Sequence, residues 1–399
     1  MDSLLSTLRI LDFSTLLPGP LATMVLADLG AEVIRVESPT RVDLARINPP
    51  YIAAEERISC SFAYVNRNKR SMVLDLKKKE SIAVVEKLIE DYDIVLEQFR
   101  PGVMGRLGLS YEYLSSINPR LIYCSLTGYG QTGPLADRVG HDINYLARSG
   151  IMSYSGKKET GPGIMGIQVA DVGSGSNNTV MAILAAVIFR MNTGKGQHID
   201  VAMLDGLFPY HAVAAFRELY GAEEHSYETE VLNGGSLYDF YETADGRYIS
   251  FGGLEPQFFD AFCKALGLDD LIEGAIFQFG CLEKSKEKIA AVIRSHSMDY
   301  WLEKFETIDA CVDPVLSFSE AINTEHARER GIIVDVPGPD GVPIPQIAHP
   351  VKYSEYNPRY KRAGGELGQD TREILQSLGY KDETIDVMKS QGVFGDLEI

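Results

Sequence analysis

Strand-like and helix-like hydrophobic periods alternate through the first half of the chain. Leu8 to Phe13 reads as a buried strand, and Pro18 to Leu29 carries apolar residues at helical spacing with Gly30 as its stop. Ala31 to Val36 is a second apolar run, closed by Glu37. Strand, helix and strand in that order predict a βαβ unit, and therefore a parallel sheet. The pattern continues with a strand over Met72–Lys77, an amphipathic helix over Ser81–Tyr92, and strands over Ile94–Glu97 and Leu121–Leu126. An apolar run from Val180 to Phe189 predicts a buried helix, followed by a strand from His198 to Ala202.

From about Tyr238 the pattern changes. Tyr238–Tyr241 and Tyr248–Phe251 flank Ala244-Asp245-Gly246-Arg247, which is a hairpin signal. Helical stretches follow over Phe258–Leu266 and Ser285–Phe305. A Pro-rich segment, Val336–Pro350, predicts a return to the first domain, and Thr371–Leu378 reads as a helix. The expected division is 1–224 for a large domain, 225–325 for a small α+β domain, and 326–399 for a segment returning to the large one.

Composition sharpens this picture in three places. The 399 residues carry a formal net charge of −18, which disfavours nucleic acid and anionic membranes as partners. The five cysteines are scattered, with no C-x-x-C pair, so a zinc site and a disulfide framework are not predicted. No metal is expected. No basic-then-apolar leader opens the chain, and the longest apolar run, ten residues, is too short for a bilayer, so a cytoplasmic protein is expected.

Candidate chemistry gathers around the central apolar run. His141 is of a residue type that can take or give a proton, and Asp171 stands at a Gly/Ser-rich turn leading into the predicted helix. A carboxylate there faces free backbone N–H groups and the positive end of a helix dipole, which suits chemistry through an enolate or a carboxylate nucleophile. The pattern alone leaves Asp171 open to a second reading as a helix cap, and His141 to one as a structural histidine. Glu37 ends the second strand, where dinucleotide folds place a ribose-binding acid. The loop Ser14–Pro20 nevertheless lacks G-x-G-x-x-G, which argues against a nicotinamide cofactor. Arg67, Lys69, Arg100 and Arg106 fall on or near loops at strand ends, where together they could neutralise a phosphate-bearing ligand; each alone reads as a solvated surface charge.

Several segments in one order carry a resemblance. They are Pro18-Gly19-Pro20, Asp28 to Val33, Asn66 to Ser71, Leu74 to Lys77, Arg100-Pro101-Gly102 and Thr193 to Gln197. Across nearly its whole length the chain resembles the class III CoA-transferase superfamily (CaiB/BaiF type), which includes α-methylacyl-CoA racemases. The resemblance implies an α/β fold, with a Rossmann-like large domain and a smaller α+β domain in an interlocked homodimer. It places the reactive aspartate at Asp171. The Gly140-to-Tyr145 segment, thirty positions earlier at its histidine, looks like the racemase branch, and Glu255 of Glu255-Pro256-Gln257 matches the glutamate that branch places near the histidine. Contacts to coenzyme A are implied for Arg35, Leu74, Asp75, Glu97, Arg100, Arg106, Asp137 and Arg138.

Two departures from the family pattern stand out. Ser38 occupies a position where many relatives carry an arginine, with Arg35 and Arg41 nearby, and Ala170 to Gly175 lacks the consecutive glycines of racemases. The implied reaction is 1,1-proton transfer at the carbon α to a CoA thioester. His141 and Asp171 act on opposite faces, Glu255 orients the histidine, and backbone N–H groups of Gly173–Ser176 receive the enolate oxygen. Coenzyme A enters as part of the substrate, with no permanently bound cofactor. The alternatives are a CoA-transferase with Asp171 as nucleophile, and a CoA-binding protein without turnover.

Overall fold

The computed structural model describes residues 3–52, 58–221, 224–272, 282–397 and 399. Its contacts divide the chain into two compact units. The first holds Met1–Ser149, Gly166–Tyr210 and His326–Ile399; the second holds Gly150–Met165 and His211–Glu325.

The first unit is built on six parallel strands: β1 (Arg9–Phe13), β2 (Glu32–Glu37), β3 (Arg70–Val73), β4 (Ile94–Glu97), β5 (Ile122–Thr127) and β6 (Gln197–Ala202). Their spatial order is β3-β2-β1-β4-β5-β6. β1 to β5 are buried on both faces, which is why they read as continuous apolar runs rather than alternating ones, whereas β6 at the sheet edge exposes His198 and Asp200. β1 pairs with β2 from Arg9↔Glu32 to Asp12↔Arg35, and with β4 from Ile10↔Ile94 to Phe13↔Glu97. The chain therefore winds outward to β3, then restarts on the other side of β1. In open sheets that reversal makes a crevice at the carboxyl ends of the two central strands.

Three helices matter for the site: α1 (Pro18–Asp28), α2 (Asp142–Ser149) and α3 (Asn177–Thr193). The sequence predicts a buried helix over Val180–Phe189, but only one stripe of α3 is buried: Thr179, Ile183, Ala186 and Arg190. Met181, Ile188, Phe189 and Met191 face outward, exposed by 43% or more. The preceding turn extends this element to a helical run over Val169–Thr193, 25 residues long and apolar enough on average to reach across a bilayer, unlike the ten-residue run itself. Its buried stripe, however, carries Arg190, which pairs with Asp93 at 2.8 Å and holds the helix against the sheet. The described cysteines, Cys60, Cys124, Cys263 and Cys311, are free thiols.

The returning chain completes the first unit. Ile374, Leu375, Ile385, Met388, Val393 and Phe394 join the core formed by Leu11, Ile34, Met72, Val84 and Val95. A second terminal helix, Asp382–Ser390, follows the expected one at Thr371–Ser377. The Pro-rich segment is an antiparallel hairpin, Ile333–Pro337 against Pro343–Ile347. Proline is tolerated there because it falls at the ends and edges of a two-stranded ribbon.

The second unit has a three-stranded antiparallel sheet in the order Val312–Pro314, Tyr248–Phe251, Asp239–Glu242, including the expected hairpin. Phe251 stacks on Phe262 with ring centroids 3.9 Å apart. The helical stretch expected over Ser285–Phe305 is two helices, because Ser297 caps a new start by accepting from Tyr300. Residues 150–165 and 211–224 were expected in the large domain. They cluster with the second unit because their bonds lie there: the Tyr227 hydroxyl donates to Met152, Asn233 donates to Tyr154, Lys157 pairs with Glu228, and the His225 backbone N–H donates to Glu218.

Candidate active site

His141 stands at the residue before α2. Its backbone N–H donates to the Asn144 side chain at 3.0 Å, which fixes the start of the helix. Tyr145, one turn on, donates its hydroxyl to the Gly140 carbonyl at 2.6 Å. Its ring lies so close to Gly128 and Gly140 that a Cβ at either position would sit within 2.8 Å of it, so both must be glycine. Asp142 opens α2 and reaches across to the next element. Its Oδ1 accepts from the backbone N–H of Ala170 at 2.6 Å and of Asp171 at 3.0 Å. One helix turn therefore carries the histidine and also ties down the peptide of the aspartate.

Asp171 lies in Val169–Ser176, a stretch of π-helix that runs directly into α3. Such wide turns recur at functional sites because they displace a side chain from the regular helical track. Side chains hold the turn in place: Ser174 donates to the Met203 carbonyl at 2.5 Å, and Ser176 to the Pro18 carbonyl at 2.7 Å. Gly173 leaves room for the Tyr210 hydroxyl, which a Cβ would meet at 2.5 Å. The carboxylate of Asp171 caps neither helical segment. Burial pushes it up to about 6, the nearby Asp142 charge pushes the same way, and His141 opposes both. The two groups singled out in the sequence thus converge within electrostatic reach of each other.

The donors for an anion differ from those expected. The N–H groups of Gly173–Ser176 belong to a helical segment, where each donates to a carbonyl five residues back. The amides at the start of α2, Asp142 and Ile143, have no acceptor among the described residues, as expected for a first turn. By residue type Asp142 is a turn or cap acid, and the structure adds its tie to the Asp171 peptide. Its position next to His141 was visible, but its bonds to residues 170 and 171 were not.

A cavity of about 690 Å³ opens at the carboxyl ends of β1 to β4, at the reversal of strand order. Its wall is mainly apolar, with Phe13, Leu16, Val36, Leu74, Phe99 and Val103. The cations on it are Arg41, Lys77 and Arg100, and Ser38 and Asp75 also line it. Neither His141 nor Asp171 does. The two regions are joined through Pro18, which follows the cavity loop and accepts from Ser176.

Of the residues implied for coenzyme A, Leu74, Asp75 and Arg100 line this cavity. Arg106, Asp137 and Arg138 are exposed but outside its lining. Arg35 is 1% exposed, and its guanidinium is taken up by Asp43, Glu37 and Asn66, so its charge is spent inside the fold. Arg67 and Lys69 are likewise not surface cations: Arg67 pairs with Asp28 at 2.6 Å and Lys69 with Asp12 at 3.1 Å, all four side chains buried. Glu255 belongs to the second unit, where it precedes the helix Pro256–Leu266.

The start of α1 cannot serve a phosphate as a dinucleotide fold does. Pro18 and Pro20 have no N–H to offer, and Gly19 between them donates to the Gln98 side chain at 3.2 Å.

Glu97 ends β4 beneath this region, 4% exposed, and burial pushes its carboxyl up to about 7. It accepts the Phe99 N–H at 2.8 Å. A carboxyl whose folded value is raised loses stability as pH climbs from its unfolded value through the folded one. Glu97→Gln is therefore expected to match the wild type near pH 4 and to exceed it by about 3 kcal/mol above pH 8. Thermal melting at the two pH values checks this; an equal difference at both would refute it.

Comparison with known proteins gives a consistent picture. The sequence model of "CoA-transferase family III" matches residues 5–371. The chain is 35% identical to human alpha-methylacyl-CoA racemase over 391 residues, covering 98% of this chain and 97% of the relative. It is 34% identical to succinate–glutarate CoA-transferase of Agrobacterium fabrum, covering 94% of this chain and 95% of that protein. Among solved structures, a CAIB/BAIF family protein from Brucella suis matches with a TM-score of 0.82 at 29% identity, over 95% of this chain and 100% of that one.

Proposed function

The chain belongs to CoA-transferase family III, and from that premise we propose that it is an acyl-CoA racemase or epimerase. It interconverts the enantiomers of a 2-methylacyl-CoA, or of a similar 2-substituted acyl-CoA, by 1,1-proton transfer. One observation carries this reading: Asp142 ties the Asp171 peptide to the helix turn that carries His141, so that a carboxyl pushed up to about 6 by burial stands within electrostatic reach of an imidazole. An acid poised near the working pH can both take and return a proton, which a reversible two-base reaction requires. His141 takes or returns the proton on the other face. The thioester acidifies the α-carbon, and the enolate oxygen is received by the unpartnered amides of Asp142 and Ile143.

Coenzyme A is the carrier part of the substrate and occupies the cavity at the strand ends, with Arg41, Lys77 and Arg100 toward its phosphates. No further cofactor enters the scheme. The outward apolar residues of α3, Met181, Ile188, Phe189 and Met191, support a homodimer that covers them.

A second reading, transfer of CoA between carboxylic acids, also has an observation behind it. No described side chain donates a hydrogen bond to the Asp171 carboxylate, which leaves both oxygens open to act as a nucleophile. The two readings separate in deuterated water. With one enantiomer of a 2-methylacyl-CoA and no acceptor acid, racemisation gives deuterium at C2 and both enantiomers, and His141→Ala lowers the rate by roughly 10²-fold or more. Movement of CoA onto an added carboxylate, with no exchange at C2, would establish transfer instead.

A further inference from the structure

We infer that Asp43 is a positioning residue for the ligand in this cavity, acting by locking Leu16 in a left-handed backbone conformation. The inference rests on the reading of the cavity as the coenzyme A site. Leu16 has φ +62°, a basin that a residue with a Cβ ordinarily avoids. It lines the cavity midway along the loop from β1 to α1. Its N–H is held by the Asp43 carboxylate, at 3.2 Å from Oδ1 and 3.1 Å from Oδ2. Asp43 lies in the loop after β2 and lines the same cavity, so one carboxylate joins two of its walls.

Asp43 is itself immobilised. It accepts the Ala45 N–H at 2.9 Å and an N–H of Arg35. Arg35 donates on to Asn66 at 2.8 Å, and the neighbouring Glu37 is bound by Arg46 at 2.6 Å. This buried chain of charges explains why Arg35 is not available to a ligand: its charge fixes the acid that shapes the loop. On the loop's other side, Gly19 is held by Gln98. With both ends tied, the Leu16 backbone is set by Asp43 rather than by its own preference.

The test is calorimetric titration with coenzyme A itself, alongside steady-state C2 exchange on a 2-methylacyl-CoA. Asp43→Ala is expected to weaken coenzyme A binding roughly tenfold, the size of a left-handed residue relaxing to its ordinary basin. In the exchange assay the loss falls on KM, with kcat changing several-fold less, because Asp171 and His141 are held by other residues. Adding Leu16→Gly to Asp43→Ala recovers most of the affinity, since glycine adopts the left-handed conformation without a tether. Leu16→Pro removes the N–H and forbids the conformation without touching a buried charge. It reproduces the loss if Asp43→Ala fails to fold.

Wild-type affinity in a folded Leu16→Pro or Asp43→Ala protein overturns the inference, as does a double variant no better than Asp43→Ala. Failure of the wild-type protein to bind coenzyme A overturns the reading of the cavity and the inference together.

Discussion

Asp171→Asn is expected to lower exchange at the α-carbon by roughly 10²- to 10⁴-fold while leaving coenzyme A affinity intact. The substitution keeps the side-chain volume, and the backbone N–H bond from residue 171 to Asp142 stays in place. What is lost is the proton-carrying group. In the wild-type protein, kcat/KM in the direction that uses Asp171 as base rises with pH through about 6, where the carboxyl ionises. Asp142→Asn keeps an oxygen to accept the two backbone N–H groups but removes the charge that helps hold Asp171 up, so the same limb moves to lower pH. Asp171→Asn also has a stability signature. A carboxyl raised by burial costs stability once it ionises, so the variant melts higher than the wild type above pH 6 and level with it near pH 4. Exchange measured by proton resonance in deuterated water, across pH, checks the first expectation. A variant with wild-type exchange would remove Asp171 from the chemistry.

The largest effect on stability is expected at Arg67. Its Nε and Nη2 meet Asp28, and its Nη1 donates to the Ile347 carbonyl at 2.6 Å. Its guanidinium lies 5.1 Å and 4.8 Å from the ring centres of Tyr64 and Tyr360. The pair is wholly buried. Arg67→Met strands the Asp28 carboxylate away from water and is expected to cost roughly 3–5 kcal/mol. Changing both partners, Asp28→Asn with Arg67→Met, removes the stranded charge and recovers a substantial part of that loss. Melting midpoints of the single and double variants measure this. A single variant within about 0.5 kcal/mol of wild type would mean that the pair holds nothing.

What could be read from the sequence follows from the range of the interactions involved. β1, α1, β2, β4 and β5 announce themselves because doubly covered strands, and a helix buried almost all round and stopped at Gly30, leave continuous apolar marks in the local sequence. The candidate pair was singled out for a different reason, since His141 and Asp171 sit in segments whose residue types match a known family. The burial of Arg67 and Lys69 was not legible. A basic loop looks the same whether it meets water or, as here, Asp28, Asp12 and the chain near residue 347. Asp142 reads in the sequence as a turn or cap acid, and its bonds to the amides of residues 170 and 171 are not legible there because backbone amides have no sequence of their own. The same holds for the widened turn around Asp171, which read as a Gly/Ser loop. α3 misled through composition: an apolar run signals burial, but the structure buries only the stripe that faces the sheet.

The two prolines at the head of α1 act as a gate on what the scaffold can host. A sheet with this strand order ordinarily welcomes any molecule carrying a diphosphate, since peptide amides at a helix tip greet it without regard to the rest. Here that welcome is withdrawn at Pro18 and Pro20, and the remaining amide is spoken for by Gln98. A redox dinucleotide would therefore lack this anchor, and a charged tail would have to be met by side chains at the cavity rim instead.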